Sequence, residues 1–235
     1  MAHVDCGKGV PVVFLHAGSG SSAMWDAQRE FFSAAGYRFV APDRQSDKPG
    51  ADELAALVAQ LRLDRFHLVG TAAGGIVAVD YALSFPQKLR SLVIANSIVG
   101  IQDEEYTALM KRMRPAPQFA ALPAELRELG PSYRAANAEG TSNWAGLAKK
   151  EHPTPQATKS RITFAALETI RIPTLMLTGD ADLYMPPSLL RTIAPRIKGA
   201  KTLIVPECGH SAFWEQPETF NRAVLDFIKS GSEPG

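Results

Sequence analysis

Short runs of apolar and β-branched residues recur along the chain, at positions 12–15, 38–41, 66–69, 89–94, 174–177 and 202–205. Each is short and nearly continuous in apolar character, which predicts strands buried on both faces, as in a parallel sheet. Between them the period lengthens to that of helices, at 22–35, 51–61, 74–84, 187–197 and 217–229. Pro187 and Pro217 suit the starts of the last two, where a missing N–H leaves no bond unmade. Alternating strands and helices predict an α/β fold, a mostly parallel sheet with helices on both faces.

The alternation breaks between 100 and 170, a proline-rich stretch with only short helical patterns at 103–113 and 124–129. It reads as a helical cap, residues 101–170, inserted into a core formed by 1–100 and 171–235. Its aromatics Tyr106, Phe119, Tyr133 and Trp144 either line a substrate pocket or pack the cap onto the core.

A chain of 235 residues that is 46% apolar suits one globular unit with a sizeable core. Its 25 basic residues nearly balance 24 acidic ones, so no broad field draws nucleic acid or an anionic membrane. A small, uncharged substrate is the expected partner. Two cysteines, Cys6 and Cys208, are too few for a disulfide framework and lack zinc-ligand spacing, which fits a reducing compartment. The start, MAHVDCGKG, carries no apolar signal core, and no run reaches the ~18 apolar residues of a membrane span. A cytoplasmic location is expected.

Four pieces of sequence fall at the C-terminal ends of predicted strands, where open α/β sheets place their ligands. They are His16-Ala17-Gly18-Ser19-Gly20, Gly70-Thr71-Ala72-Ala73-Gly74, Gly179-Asp180-Ala181-Asp182 and Cys208-Gly209-His210-Ser211. The second has the frame of a Gly-x-Ser-x-Gly nucleophile elbow, with Ala where the Ser would stand. The order of elbow, acid and histidine is that of one triad topology and not of others.

Taken together these pieces resemble the α/β-hydrolase superfamily, specifically small capped members that hydrolyse esters, lactones or carbon–carbon bonds of diketones. The resemblance spans nearly the whole chain and includes the Glu215-x-Pro217 helix start that follows His210. It implies that Ala72 occupies the nucleophile position, His210 is the base and Asp182 the acid, with Asp180 as its rival. It further implies oxyanion-hole N–H groups at Gly18 or Ala17 and at Ala73, and no metal or organic cofactor. His16, Ala17, Tyr133, Trp144 and Trp214 are expected at the substrate pocket. Thr71, one place off the turn tip, is a poor replacement nucleophile, and Cys208 is expected as a buried small residue. His67 reads as a packed strand residue, and His3 and His152 as loop residues.

The chain departs from the family pattern in three places. A methyl group at position 72 cannot attack a carbonyl, so covalent acyl transfer is closed to this chain. Three readings follow: a hydrolase whose Ser has been replaced, an enzyme in which His210 removes a proton and the oxyanion hole steadies an enolate, or a ligand binder. The stretch Gln45–Gly50 is shorter than the family's, and only about ten residues precede position 12, so one or both leading antiparallel strands are expected to be short or absent.

Overall fold

The computed structural model describes residues 1–43, 50–113, 116–148 and 157–230. His152 and residues 45–49 lie outside them. Seven strands form one sheet: β1 (His3–Cys6), β2 (Pro11–Leu15), β3 (Arg38–Pro42), β4 (Phe66–Thr71), β5 (Leu89–Ala95), β6 (Thr174–Gly179) and β7 (Lys201–Val205). The spatial order is β1-β3-β2-β4-β5-β6-β7, parallel except for β1, which runs antiparallel to β3.

Every strand expected from apolar runs is present, and β4 and β6 continue two residues further, to Thr71 and Gly179. The unexpected element is β1. His3 opens this edge strand, opposite Pro42, and is no loop residue. Four mostly half-buried residues carry too little apolar signal to announce a strand. One short leading antiparallel strand is therefore present.

Helices α1 (Asp26–Ala34), α2 (Gly50–Gln60) and α3 (Ala73–Ser84) connect the first five strands. Between β5 and β6 lie α4 (Glu104–Met113), α5 (Ala124–Glu128), α6 (Pro131–Ala136), α7 (Ala138–Leu147) and α8 (Phe164–Leu167). Helices α9 (Pro187–Ile193), α10 (Ala212–Glu215) and α11 (Pro217–Ser230) complete the fold. The helix expected over 187–197 changes to a 3₁₀ turn at Ala194–Arg196, where Pro195 has no N–H to continue the α ladder. The one expected over 22–35 likewise opens with a 3₁₀ turn, Ser22–Trp25.

Strand alternation divides the interior into two layers. Val13 and Leu15 of β2 face a cluster with Leu54, Val58 and Val77, whereas Val12 and Phe14 face one with Trp25, Phe32, Phe220 and Val224. Helices α2 and α3 cover the first face, and α1 and α11 the second. The sheet order reverses between β2 and β4, so the loops after these strands diverge and leave a crevice at their carboxyl ends.

Candidate active site

The elbow lies on that crevice. Strand β4 ends at Thr71 and α3 begins at Ala73, leaving Ala72 at the tip with φ 49° and ψ −116°. This is the backbone of a residue for which glycine is the easy choice, and an L-side chain holds it only under strain. The flanking glycines make the turn sterically possible. A Cβ on Gly70 would lie 2.4 Å from the Gly74 carbonyl oxygen, and one on Gly74 would lie 2.2 Å from that of Leu15. Ser97, just past β5, braces the turn by donating its hydroxyl to the Ala72 carbonyl at 2.6 Å.

As the first residue of α3, Ala73 presents an N–H that no intrahelical carbonyl reaches. The loop after β2 runs beside it, because Leu15 pairs with Gly70 across the sheet. In that loop Ala17 is buried and Gly18 sits in a turn. His16 is buried and donates Nδ1–H to the Ala17 carbonyl at 2.6 Å, which fixes its ring. Thr71 is fully buried in the strand with its hydroxyl unpartnered.

Of the two acids after β6, Asp182 is the one joined to His210. His210 Nδ1 lies 2.9 and 2.8 Å from the two carboxylate oxygens. Asp180 is exposed and accepts the Cys208 N–H at 3.3 Å. Asp182 also accepts the backbone N–H groups of Tyr184 and Met185 at 2.8 and 2.9 Å, and the Asn96 side-chain amide at 3.0 Å. Thr178 Oγ1 is 3.2 Å from the same carboxylate and 2.6 Å from the Met185 carbonyl, its single proton shared between them.

Burial by itself would raise the Asp182 carboxyl, but the His210 charge and these hydrogen bonds outweigh it and hold the group below the usual carboxylate range. For His210 burial acts in the lowering direction. The opposing pull of Asp182, with smaller contributions from Glu128 and Glu215, keeps the imidazole above its ordinary value. Such a pair favours a ring that accepts a proton at its outer nitrogen.

Four supporting residues escaped the sequence reading. Asn96, itself at φ 49°, ties Asp182 to the Gly209 carbonyl. Ser97 holds the elbow, as above. Glu215 accepts the N–H groups of Gly130, Gly209 and Ser211 at 2.8, 2.9 and 3.1 Å. Glu128 accepts the Ser19 hydroxyl at 3.0 Å, and its carbonyl receives the His210 N–H at 2.7 Å. Asn96 and Ser97 follow a strand end, the same signal that marked the other motifs. Glu215 stood within the Glu-x-Pro pattern.

At this junction three stretches of backbone meet without side chains. A Cβ on Gly209 would lie 2.3 Å from the Gly130 nitrogen, and one on Gly179 would lie 1.9 Å from the Cys208 carbonyl oxygen. Cys208 is fully buried, and burial pushes its thiol far up. That leaves it inert.

The aromatic residues of the inserted stretch mostly pack. Tyr106 is buried and donates to the Ile98 carbonyl at 3.1 Å. Trp144 is 1% exposed in the cluster that holds Trp25 and Phe213. Tyr133 packs against the same cluster, and Trp214 donates its indole N–H to the Gly140 carbonyl at 3.2 Å. Nearer the base stands Tyr184, whose ring centroid is 4.8 Å from that of His210, with Phe119 behind it at 5.6 Å. His67 is buried in β4, its Nδ1 2.8 Å from the Ser91 hydroxyl. Among the described residues no group of three or more metal-ligating side chains converges, and no helix is long and apolar enough to cross a membrane.

Comparison with known proteins places the fold. A 2-hydroxy-6-oxo-6-phenylhexa-2,4-dienoate hydrolase of Burkholderia cepacia is 27% identical over 262 residues, covering 97% of this chain and 90% of the relative. A 2-hydroxy-6-oxononadienedioate/2-hydroxy-6-oxononatrienedioate hydrolase of Comamonas testosteroni is 26% identical, with the same coverage. Among solved structures, a thermophilic esterase from Thermogutta terrifontis superimposes with a TM-score of 0.83 at 24% identity, over 99% of this chain and 94% of that one. The model described as the alpha/beta hydrolase family matches residues 12–223, and the chain belongs to that family.

Proposed function

We propose that this chain is a hydrolase frame for a small, largely apolar carbonyl substrate, an ester, a lactone or a diketone carbon–carbon bond, with Ala72 in place of the nucleophile. The observation that carries this reading is the strained backbone of Ala72, kept at a turn tip at the same carboxyl end of the sheet as the buried Asp182–His210 pair. An alanine gains nothing from such a conformation, whereas a serine there would project its oxygen into the crevice.

In this reading His210 is the general base, and Asp182 fixes its tautomer and stabilises its cation. The N–H groups of Ala73 and Gly18 receive the oxyanion. Residues 101–170 act as the cap, and His16, Ala17, Tyr133, Trp144 and Trp214 shape the pocket from behind its surface. With serine at 72, His210 would take the hydroxyl proton as oxygen attacks the carbonyl, then pass it to the leaving group. In the present chain the carbonyl can be bound and polarised but not attacked by the protein. The names of the two curated relatives above, both hydrolases of oxo acids, support a carbonyl substrate.

The test is Ala72→Ser beside the unaltered chain, assayed with a short activated ester and with a serine-directed phosphonate read by intact mass. The serine form is expected to turn over with a burst and to gain one adduct. A folded but inert and unlabelled serine form would overturn the proposal. A second reading rests on the same intact pair: proton abstraction by His210 with no covalent intermediate. It predicts an activity already present with Ala72 that His210→Ala abolishes.

A further inference from the structure

At the opposite end of the sheet, strands β4, β5 and β6 begin side by side, and an arginine stands at each start: Arg65, Arg90 and Arg171. They line a cleft of about 490 Å³, within the range of small-molecule sites, whose walls include Leu83, Pro86 and Ile172. Strand β4 separates it from the elbow by six residues, roughly 20 Å at ~3.3 Å per residue.

The charge in this cleft is unbalanced. No acidic side chain lines it among the described residues. Four surface cations do have carboxylate partners: Arg29 with Asp26, Arg38 with Asp5, Lys159 with Asp52 and Arg196 with Glu168. The three cleft arginines instead bond to backbone carbonyls. Arg65 donates to Leu89 at 3.0 Å, Arg90 to Arg65 at 3.4 Å, and Arg171 to Ile170 at 3.2 Å and to Glu168. Each contact holds a guanidinium in place while leaving most of its five N–H donors free. In a chain whose net charge is only +1, three such cations around one cavity are a local excess.

We propose that this cleft binds a small organic anion that carries a doubly charged oxyanion group on an apolar body. Guanidinium forks match phosphate and carboxylate oxygens in pairs, and the aliphatic wall accommodates the remainder of the ligand. The buried His67, two residues from Arg65, feels the same field: burial first, then Arg90 and Arg65, push it down to about 4. A phosphate ester and a dicarboxylate share the required chemistry, and the site is independent of the elbow chemistry.

Isothermal titration of the full chain with phenyl phosphate, phthalate and neutral benzyl alcohol, at fixed ionic strength, tests this. Saturable one-to-one binding of at least one of the two anions is expected, with none of the alcohol. Phenyl phosphate alone would identify phosphate esters as the source, phthalate alone dicarboxylates, and comparable binding a site that reads the paired charge. Arg90→Gln and Arg171→Gln should each weaken the bound anion about tenfold, and raised salt should weaken it further. Arg65→Gln risks the fold through the Leu89 contact, so the other two variants decide. Absence of saturation by either anion at about 10 mM, a regime of ~3 kcal/mol, would overturn the proposal. So would unchanged affinity in the folded Arg90→Gln/Arg171→Gln double variant.

Discussion

Replacing Ala72 by Gly tests the elbow without reference to any substrate. At φ 49° and ψ −116° an L-residue carries strain of about 1–3 kcal/mol, which glycine relieves. Against this stands the greater freedom of glycine in the unfolded chain, roughly 0.4–1 kcal/mol. Loss of a half-buried methyl removes at most a few tenths of a kcal/mol more. The balance is a stabilisation of about 1 kcal/mol. For 235 residues, an unfolding entropy of ~2.1 cal/mol/K per residue converts this into a Tm increase of about 2 °C. Differential scanning calorimetry resolves a shift of that size, and urea melts give an independent ΔΔG. Ala72→Ser should melt with the parent, since serine shares the strain. A Gly variant that melts at or below the parent temperature would refute the strained elbow.

Two other outcomes follow from the buried groups. His210 sits above its usual value of 6.5, so its stabilising contribution is complete below pH 6.5 and is lost as pH rises through the raised folded value. His67, at about 4 when folded, contributes above pH 6.5 and loses that contribution as pH falls toward 4, with a slope of ~1.4 kcal/mol per pH unit inside the window. Urea unfolding from pH 4 to 9 should therefore peak near 6.5, with the alkaline limb flattened by Asp182→Asn and the acid limb by His67→Gln; an acid limb unchanged in His67→Gln contradicts the assignment. Glu215→Ala leaves three buried N–H groups without their acceptor and should cost about 3–5 kcal/mol, read as a Tm loss of some 6–10 °C, and a loss under 1 kcal/mol would show that the junction does not depend on this carboxylate.

What the sequence made legible was whatever repeats or whatever punctuates. The strands were visible because parallel strands buried on both faces must be apolar throughout, as in Phe66–Thr71, where all six residues are buried. The elbow frame was visible because Gly70 and Gly74 stand where any side chain would strike backbone. Asp182 over Asp180 was a choice made on resemblance alone, since two acids two residues apart differ only in which one the turn faces inward. Glu128 and Glu215 stayed hidden for a related reason. Each accepts at least one donor from a segment distant in sequence, Ser19 for Glu128 and Gly130 for Glu215, and such bonds leave no period. β1 was missed because an edge strand of four residues, three half-buried and one exposed, has no apolar stripe to show. The arginines at the strand starts were plain as letters, but only the sheet order brings them to one cleft.

The meeting of Gly130, Gly179 and Gly209 has a consequence for how this architecture can diversify. Beyond the Asn96 side chain, the segment between β5 and β6 meets the Asp182–His210 neighbourhood largely through backbone at 128–130. Contact of that kind is indifferent to the identity of the residues on the far side of the insert. The exposed faces of helices α4, α6 and α7 can drift in size, charge and hydrophobicity, with Tyr106 and Trp144 kept in the core, while the acid and the histidine keep their spacing. If the insert is the cap proposed above, selectivity and assembly would be written in separate parts of it, one variable and one confined to a few positions with no room for a side chain.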